Sequence, residues 1–184
     1  MPLLGPDDDL PSRPKRVLVA GTSGSGKSTL ARQIATALQI PYVELDALHH
    51  GPGWVPRPDF VADVHAFAAT DSWVTEWQYT AVRTLLAERA EVIVWLDLPT
   101  AVVMQRVVVR TLRRRLRREV LWNGNTEPPL RAVFTDPDHI VRWAWKTRHA
   151  TAERVTAVLE ERPELVVVRL RTATEVERWS GALG

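Results

Sequence analysis

Gly21-Thr22-Ser23-Gly24-Ser25-Gly26-Lys27-Ser28 decides how this chain folds. Before it, residues 16–20 are a short β-branched apolar run of the kind that makes a buried strand. After it, residues 27–39 place Leu30, Ile34, Ala37 and Leu38 at helical spacing. A stretch of the form G-x-x-x-x-G-K-[ST] between a strand and a helix is a phosphate cradle. Its glycines let successive backbone N–H groups turn inward around phosphate oxygens, and the helix that follows adds its positive N-terminal end. Gly21, Thr22, Ser23, Gly24, Ser25, Gly26, Lys27, Ser28 and Thr29 are therefore expected to hold ATP. In that role Lys27 bridges the β- and γ-phosphates and Ser28 places its hydroxyl on Mg²⁺.

Working outward, residues 41–46 read as a second strand, followed by a Gly/Pro-rich loop over 49–58 and a helix over 59–69 that starts at Asp59 behind Pro58. Residues 73–76 are a third strand, 81–89 a short helix, and 92–97 a fourth strand whose continuous apolar run suits burial on both faces. Pro99 opens a helix through Val103 and Val107. A mostly helical stretch covers 136–159, a fifth strand 166–170 and a closing helix 173–179. Strands alternating with helices predict a three-layer α/β domain with a parallel sheet and right-handed crossovers. Residues 1–14, rich in proline and aspartate, are expected to be a disordered leader, and residues 15–184 a single domain.

The 184 residues are 45% hydrophobic and 25% charged, values that suit one compact core. No run approaches a membrane span, and the first residues are acidic rather than a basic and apolar leader. The absence of cysteine excludes a disulfide framework, a thiolate zinc site and a Cys nucleophile. A cytoplasmic protein without membrane contact is expected, as a monomer or a homodimer. Twenty-four Lys and Arg against 22 Asp and Glu leave a net charge of only +2, so charge alone does not call for nucleic acid.

A phosphate cradle does not by itself separate kinases from other nucleotide enzymes, so the carboxyl ends of the other strands matter, where ligands of open α/β sheets bind. Asp46, Glu76 and Asp97 stand at those ends. One can orient the magnesium shell and another can position or deprotonate an attacking hydroxyl; the simpler reading for each is a loop or helix cap. His49 and His50 follow Asp46, but adjacent histidines on a loop point apart and no third ligand has metal spacing.

The phosphate loop, the Leu45-Asp46 pair, the Gly53-Trp54 loop, the strand 92–97 with Leu98-Pro99 and the arginines after it resemble the adenylate kinase-like P-loop kinases. The likeness extends to small bacterial members labelled DNA topology modulation proteins or P-loop ATPases, and covers nearly the whole chain from Lys15 to Trp179. It implies a three-layer P-loop NTPase fold with a five-stranded parallel sheet of order 2-3-1-4-5 and a helical lid over about 111–136. It also implies a magnesium role for Glu76, where the family usually has aspartate. Many of those proteins read Asp-Gly-Asn-Tyr where this chain has Glu76-Trp77-Gln78-Tyr79, so the acid and Tyr79 carry over, while Trp77 replaces a glycine and narrows the acceptor pocket. Arg83 is the nearest counterpart of the arginines that grip a nucleoside monophosphate.

Arg106, Arg110, Arg114 and Arg117 recur at three- and four-residue steps and form one cationic stripe on a helix. By the resemblance this is the lid, with Arg110 and Arg114 neutralising charge on the transferred phosphoryl group. A solvated helix face and a nucleic-acid stripe are the other readings; no aromatic residues interleave the arginines as a single-strand platform needs. Arg142 and Lys146 share one helix face and either close on the phosphates or serve solubility. Trp54 either stacks on a base or sugar or plugs its loop. Asn123 and Asn125 either bond substrate or supply turn geometry. The expected function is an ATP-dependent small-molecule kinase: Lys27, Asp46, Arg110 and Arg114 catalytic; Asp46, Trp54, Tyr79, Arg83 and Arg142 on the acceptor; Ser28 and Glu76 on magnesium. A nucleotide or nucleoside acceptor follows from the resemblance. The alternative is an ATP-binding, DNA-associated regulatory P-loop ATPase. For a motor or AAA-type ATPase, little chain remains to form an oligomerising lid domain.

Overall fold

The computed structural model describes residues 3–117, 122–125, 144–147 and 149–183. The chain runs β1 (Leu3–Leu4), β2 (Arg16–Gly21), α1 (Lys27–Leu38), β3 (Tyr42–Val43), α2 (Leu45–His49), a 3₁₀ turn at Pro52–Trp54 and α3 (Phe60–Ala68). It continues through β4 (Trp73–Glu76), α4 (Thr80–Arg89), β5 (Val92–Leu96) and α5 (Thr100–Leu116). A second 3₁₀ turn at Trp122–Gly124 is followed by α6 (Ala150–Glu161), β6 (Val166–Leu170) and α7 (Ala173–Gly181).

All strand pairs are parallel, and the sheet order is β3-β4-β2-β5-β6-β1. Six strands rather than five make the sheet, so its order differs from the expected 2-3-1-4-5 by an added edge strand. That strand comes from the leader expected to be disordered: Leu3 pairs with Val167 and Leu4 with Val168. Leu4 and Leu10 pack on the sheet core, and Arg178 Nε meets Asp7 Oδ1 at 3.2 Å. Composition misjudged this segment because it needs no core of its own. The open edge of β6 and the α7 surface supply one.

Period-two alternation distributes the strands to two faces. Val17 and Val19 of β2, Val92, Val94 and Leu96 of β5, and Val166, Val168 and Leu170 of β6 join Leu30, Ala31, Ile34 and Leu38 of α1 and Trp179 of α7. Leu18, Ala20, Ile93, Trp95 and Val167 face the other way, under α2, α3, α4 and α6 through Leu45, Phe60, Val64, Leu86, Val155 and Val158. Burial on both faces explains why these strands read as continuous apolar runs. Among the described residues no helix is long and apolar enough to cross a membrane.

Two further expectations change. The strand read over 41–46 stops at Val43, because Leu45 begins a helix whose first N–H is drawn to the Glu76 carboxylate at 3.4 Å. Asp46 therefore lies in the first turn of a helix, not at a strand end. Of the helix expected over 136–159, residues 136–143 lie outside the described residues, and α6 runs from Ala150 to Glu161. Of the expected lid, 118–121 and 126–136 lie outside them as well, while α5 continues through Leu116.

Candidate active site

Register sets the site. β2 lies between β4 and β5, with Val19 opposite Glu76 and Gly21 opposite Leu96, so the phosphate loop leaves the sheet beside the end of β4. Gly24 (φ 86°) and Gly26 (φ 103°) occupy the left-handed region, which an L side chain enters only under strain. A Cβ at Gly24 would also run into the Val107 side chain of α5. Gly26 caps α1 without any side-chain hydrogen bond to the first turn, so those amides are open to an anion. Ser25 is 2% exposed and its hydroxyl has no hydrogen-bond partner. A glycine cradle, uncapped helix amides and an orphaned buried hydroxyl together fit a bound triphosphate.

Lys27 shows part of its surface, yet its ammonium is enclosed by protein and donates to the Thr22 carbonyl at 3.2 Å. Its proton affinity falls below the ordinary lysine value, chiefly because burial disfavours the charge; Asp46 and Glu76 oppose that fall and Arg110 adds to it. One ammonium thus gathers two carboxylates and an arginine that are scattered over 65 positions of sequence between Asp46 and Arg110.

Glu76 is 1% exposed. It accepts from the Tyr42 hydroxyl at 2.6 Å and from the Leu45 N–H. Burial with the Glu76 charge pushes the proton affinity of Tyr42 far up, and the nearby Ser28 hydroxyl opposes that rise. Among the described residues no three His, Asp or Glu side chains could form a metal cage. A hydroxyl plus a carboxylate is instead the sparse oxygen set that magnesium accepts when phosphates and waters fill the rest of its shell.

Asp46 is held from β4's end. Its Oδ1 accepts from Gln78 Nε2 at 2.7 Å and from the Tyr79 hydroxyl at 2.6 Å, while no described residue donates to Oδ2. Burial, then the Asp46 charge, push the Tyr79 hydroxyl's proton affinity up. Trp54 lies over His50 in an edge contact, centroids 5.1 Å apart, and near Trp122 at 6.3 Å. Its N–H donates to Asn125 Oδ1 at 3.1 Å, and Asn125 Nδ2 donates to the Gly51 carbonyl at 3.0 Å. Asn123 donates to the His50 carbonyl. Asn123, at φ 55°, supplies the expected left-handed turn geometry, and through these bonds the two asparagines staple the 51–54 loop and its neighbour His50 to the turn beyond α5.

The arginine stripe divides its work. Arg106 donates to the Ser25 carbonyl at 3.3 Å, Arg110 acts on Lys27, and Arg114 lies 5.9 Å over the Trp122 ring. Arg83 is not brought to this cluster. It bonds Thr80 at 3.3 Å and sits by Arg154 of α6, where burial and that second cation lower its proton affinity. Arg142 lies outside the described residues. Asp97 is committed elsewhere, gripped through Oδ2 by Arg169 Nε at 2.9 Å and Nη2 at 2.5 Å. Tyr42 escaped the sequence reading, since it falls in no spaced motif; Gln78 was read only as a departure from the family pattern, His50 only as a metal candidate and Asn125 as a substrate or turn residue. Arg106 was legible only as one member of the stripe.

A profile of the ATPase family associated with various cellular activities (AAA) matches residues 17–106, just under half the chain, from β2 into α5. A 49-residue stretch is 43% identical to cytidylate kinase from Nitratidesulfovibrio vulgaris strain DP4, covering 27% of this chain and 21% of that enzyme. The chain thus matches only about a fifth of the length of this curated relative. Among solved structures, a gluconokinase from Sinorhizobium meliloti 1021 superposes with a TM-score of 0.52 at 22% identity, over 93% of this chain and 92% of that one. A sugar kinase from Janibacter sp. HTCC2649 gives a TM-score of 0.51 at 19% identity, over 98% and 92%. The chain shares its α/β fold with these two kinases.

Proposed function

We propose that this protein is an ATP-dependent phosphotransferase that moves the γ-phosphoryl group to a small-molecule acceptor. The observation that carries the reading is the set of groups converging on Lys27: phosphate loop, Glu76, Asp46 and Arg110. Asp46, anchored through Oδ1 with no described donor on Oδ2, is the group that can receive an acceptor hydroxyl.

Residues 21–29 hold the triphosphate, and Lys27 and Arg110 offset its charge, the larger part of phosphoryl-transfer catalysis being electrostatic. Ser28 and Glu76 would hold Mg²⁺, which supplies charge neutralisation at the phosphates when bound. Asp46 presents Oδ2 to the acceptor hydroxyl while Oδ1 stays tied to Gln78 and Tyr79. Trp54 and Tyr79 wall the acceptor side, and closure of that side excludes the water that would otherwise hydrolyse ATP. The hydrogen-bonding groups around Asp46 are neutral and Arg83 is turned to α6. This favours a hydroxyl acceptor, a nucleoside or a sugar, over a nucleoside monophosphate.

The test is ADP release from Mg·ATP in the presence of nucleosides, nucleoside monophosphates, sugars, sugar acids or duplex DNA. Lys27→Ala is the blank and should lose at least about a thousandfold in turnover. One small acceptor that accelerates ADP release and emerges phosphorylated supports the reading. A rate changed by DNA alone defeats it in favour of the ATP-binding, DNA-associated regulator.

A further inference from the structure

A chain of hydrogen bonds runs away from the acceptor side of Asp46. Tyr79 has a single hydroxyl proton, and its oxygen lies 2.6 Å from Asp46 Oδ1, the length of a charge-assisted O–H···O⁻ bond. An ionised carboxylate only accepts, so the Tyr79 proton points at Asp46. The Tyr79 oxygen then has only lone pairs for His50 Nε2, 3.2 Å away, which must be the donor. That fixes the His50 tautomer with its proton on Nε2 and leaves Nδ1 as acceptor. His49 Nδ1 stands 3.4 Å from that Nδ1, a weak contact in which His49 donates.

The surroundings hold this order in place. The His49 ring stacks on Tyr79, centroids 4.1 Å apart and planes 19° from parallel, and meets Phe60 edge-on. His50 is flanked by Trp54 and Trp122, and its carbonyl accepts from Asn123. The charged and titratable groups facing the chain are Asp46 and His49 of α2, Glu76 of β4, Lys27 of α1 beside Asp46, and Arg114 of α5 behind the Trp122 ring. Tyr79 itself sits at φ 61°, ψ 111°, a conformation strained for a non-glycine residue that persists only where its surroundings enforce it.

We propose that Tyr79 and His50 are positioning residues for Asp46: together they fix which carboxylate oxygen is left for the acceptor. The inference rests on the kinase reading for its purpose, since Asp46 is there the partner of the acceptor hydroxyl. No bond is made or broken in the chain. Tyr79 donates to Oδ1, His50 donates to Tyr79, and Oδ2 remains the place where an acceptor O–H can donate.

The experiment needs no acceptor. In the full chain labelled with ¹³C-carboxyl aspartate and ¹⁵N-histidine, the Asp46 signal is assigned by its loss in Asp46→Asn and titrated by chemical shift. Tyr79→Phe keeps the ring stack and removes one donor to the carboxylate, so the Asp46 midpoint should move up by about one pH unit. His50→Leu should move it in the same direction by less, and His50→Gln, which keeps an N–H for Tyr79, should restore it. The ¹⁵N shifts should place the His50 proton on Nε2. An unmoved Asp46 midpoint in Tyr79→Phe, or a His50 proton on Nδ1, overturns the proposal whatever the kinase assay gives. With an acceptor in hand, Tyr79→Phe should raise its KM and leave that of ATP unchanged; the absence of any acceptor defeats the kinase reading and leaves the titration result standing.

Discussion

The two halves of the site are built in opposite ways. The phosphate half is one contiguous stretch, residues 21–29, whose shape comes from its own glycines and from the start of α1. The proposed acceptor half is gathered from the first turn of α2, the 51–54 loop, Gln78 and Tyr79 after β4, and the turn at 122–125. A contiguous site is specified by local backbone conformation. A gathered one is specified by packing, and its members carry no spacing that marks them. Damage to the first should abolish nucleotide binding outright, while damage to the second should show as a selective loss on the acceptor.

Gly24→Ala strikes the local half hardest. It forces an L side chain to φ 86° and drives a methyl group into Val107, so the chain should lose about 2 kcal/mol of stability together with ATP affinity, read by thermal melting with and without nucleotide. A fold of unchanged stability would show that α5 gives way and that the loop is less rigidly specified than its glycines suggest.

Asn125→Ala probes the gathered half. Asn125 is 5% exposed and serves both the Gly51 carbonyl and the Trp54 N–H, so its loss leaves two backbone groups unpaired at a cost of about 1–2 kcal/mol. Acceptor KM should rise while ATP KM stays within error. Equal rises in both would mean that the two halves close as one unit, erasing the contrast.

The smallest effect is a pH dependence confined to the acceptor side. Burial, then the neighbouring His50, hold the His49 proton affinity below its ordinary 6.5, with Asp46 opposing. Between that depressed value and 6.5 the unfolded chain binds more proton than the folded one, so stability rises with pH across this window. The contribution is fully present above 6.5 and fades as the pH falls through the native value. Melting temperatures of His49→Phe and wild type against pH should therefore show a shallower slope for the variant below 6.5; parallel curves would place His49 in the same environment folded and unfolded.

The phosphate loop was legible because glycine, lysine and serine at fixed offsets are demanded by backbone geometry alone. The strands were legible because burial on both faces leaves unbroken apolar runs. Legibility failed where a residue's role depends on a distant partner. Asp46 looked like a strand-end carboxylate, yet Glu76 draws Leu45 into a helix and moves Asp46 onto its first turn. Asp97 stood at a strand end like Asp46 and Glu76 but was given no role, and only the structure shows why: Arg169, 72 positions away, takes up its oxygen. The leader looked unable to order because its composition says nothing of the open edge of β6.

By itself the sequence determined a parallel α/β sheet, the place of the phosphate cradle within it and the residue types able to neutralise a triphosphate, since each of these follows from local periodicity and backbone freedom. Only the tertiary structure decided which carboxylates face Lys27, which arginines reach the loop, and that His50 joins Tyr79 beside Asp46 while Asn125 holds the 51–54 loop. Hydrogen bonds and buried charges are satisfied by whatever the fold brings within about 3 Å, and that proximity is a property of the packed chain as a whole.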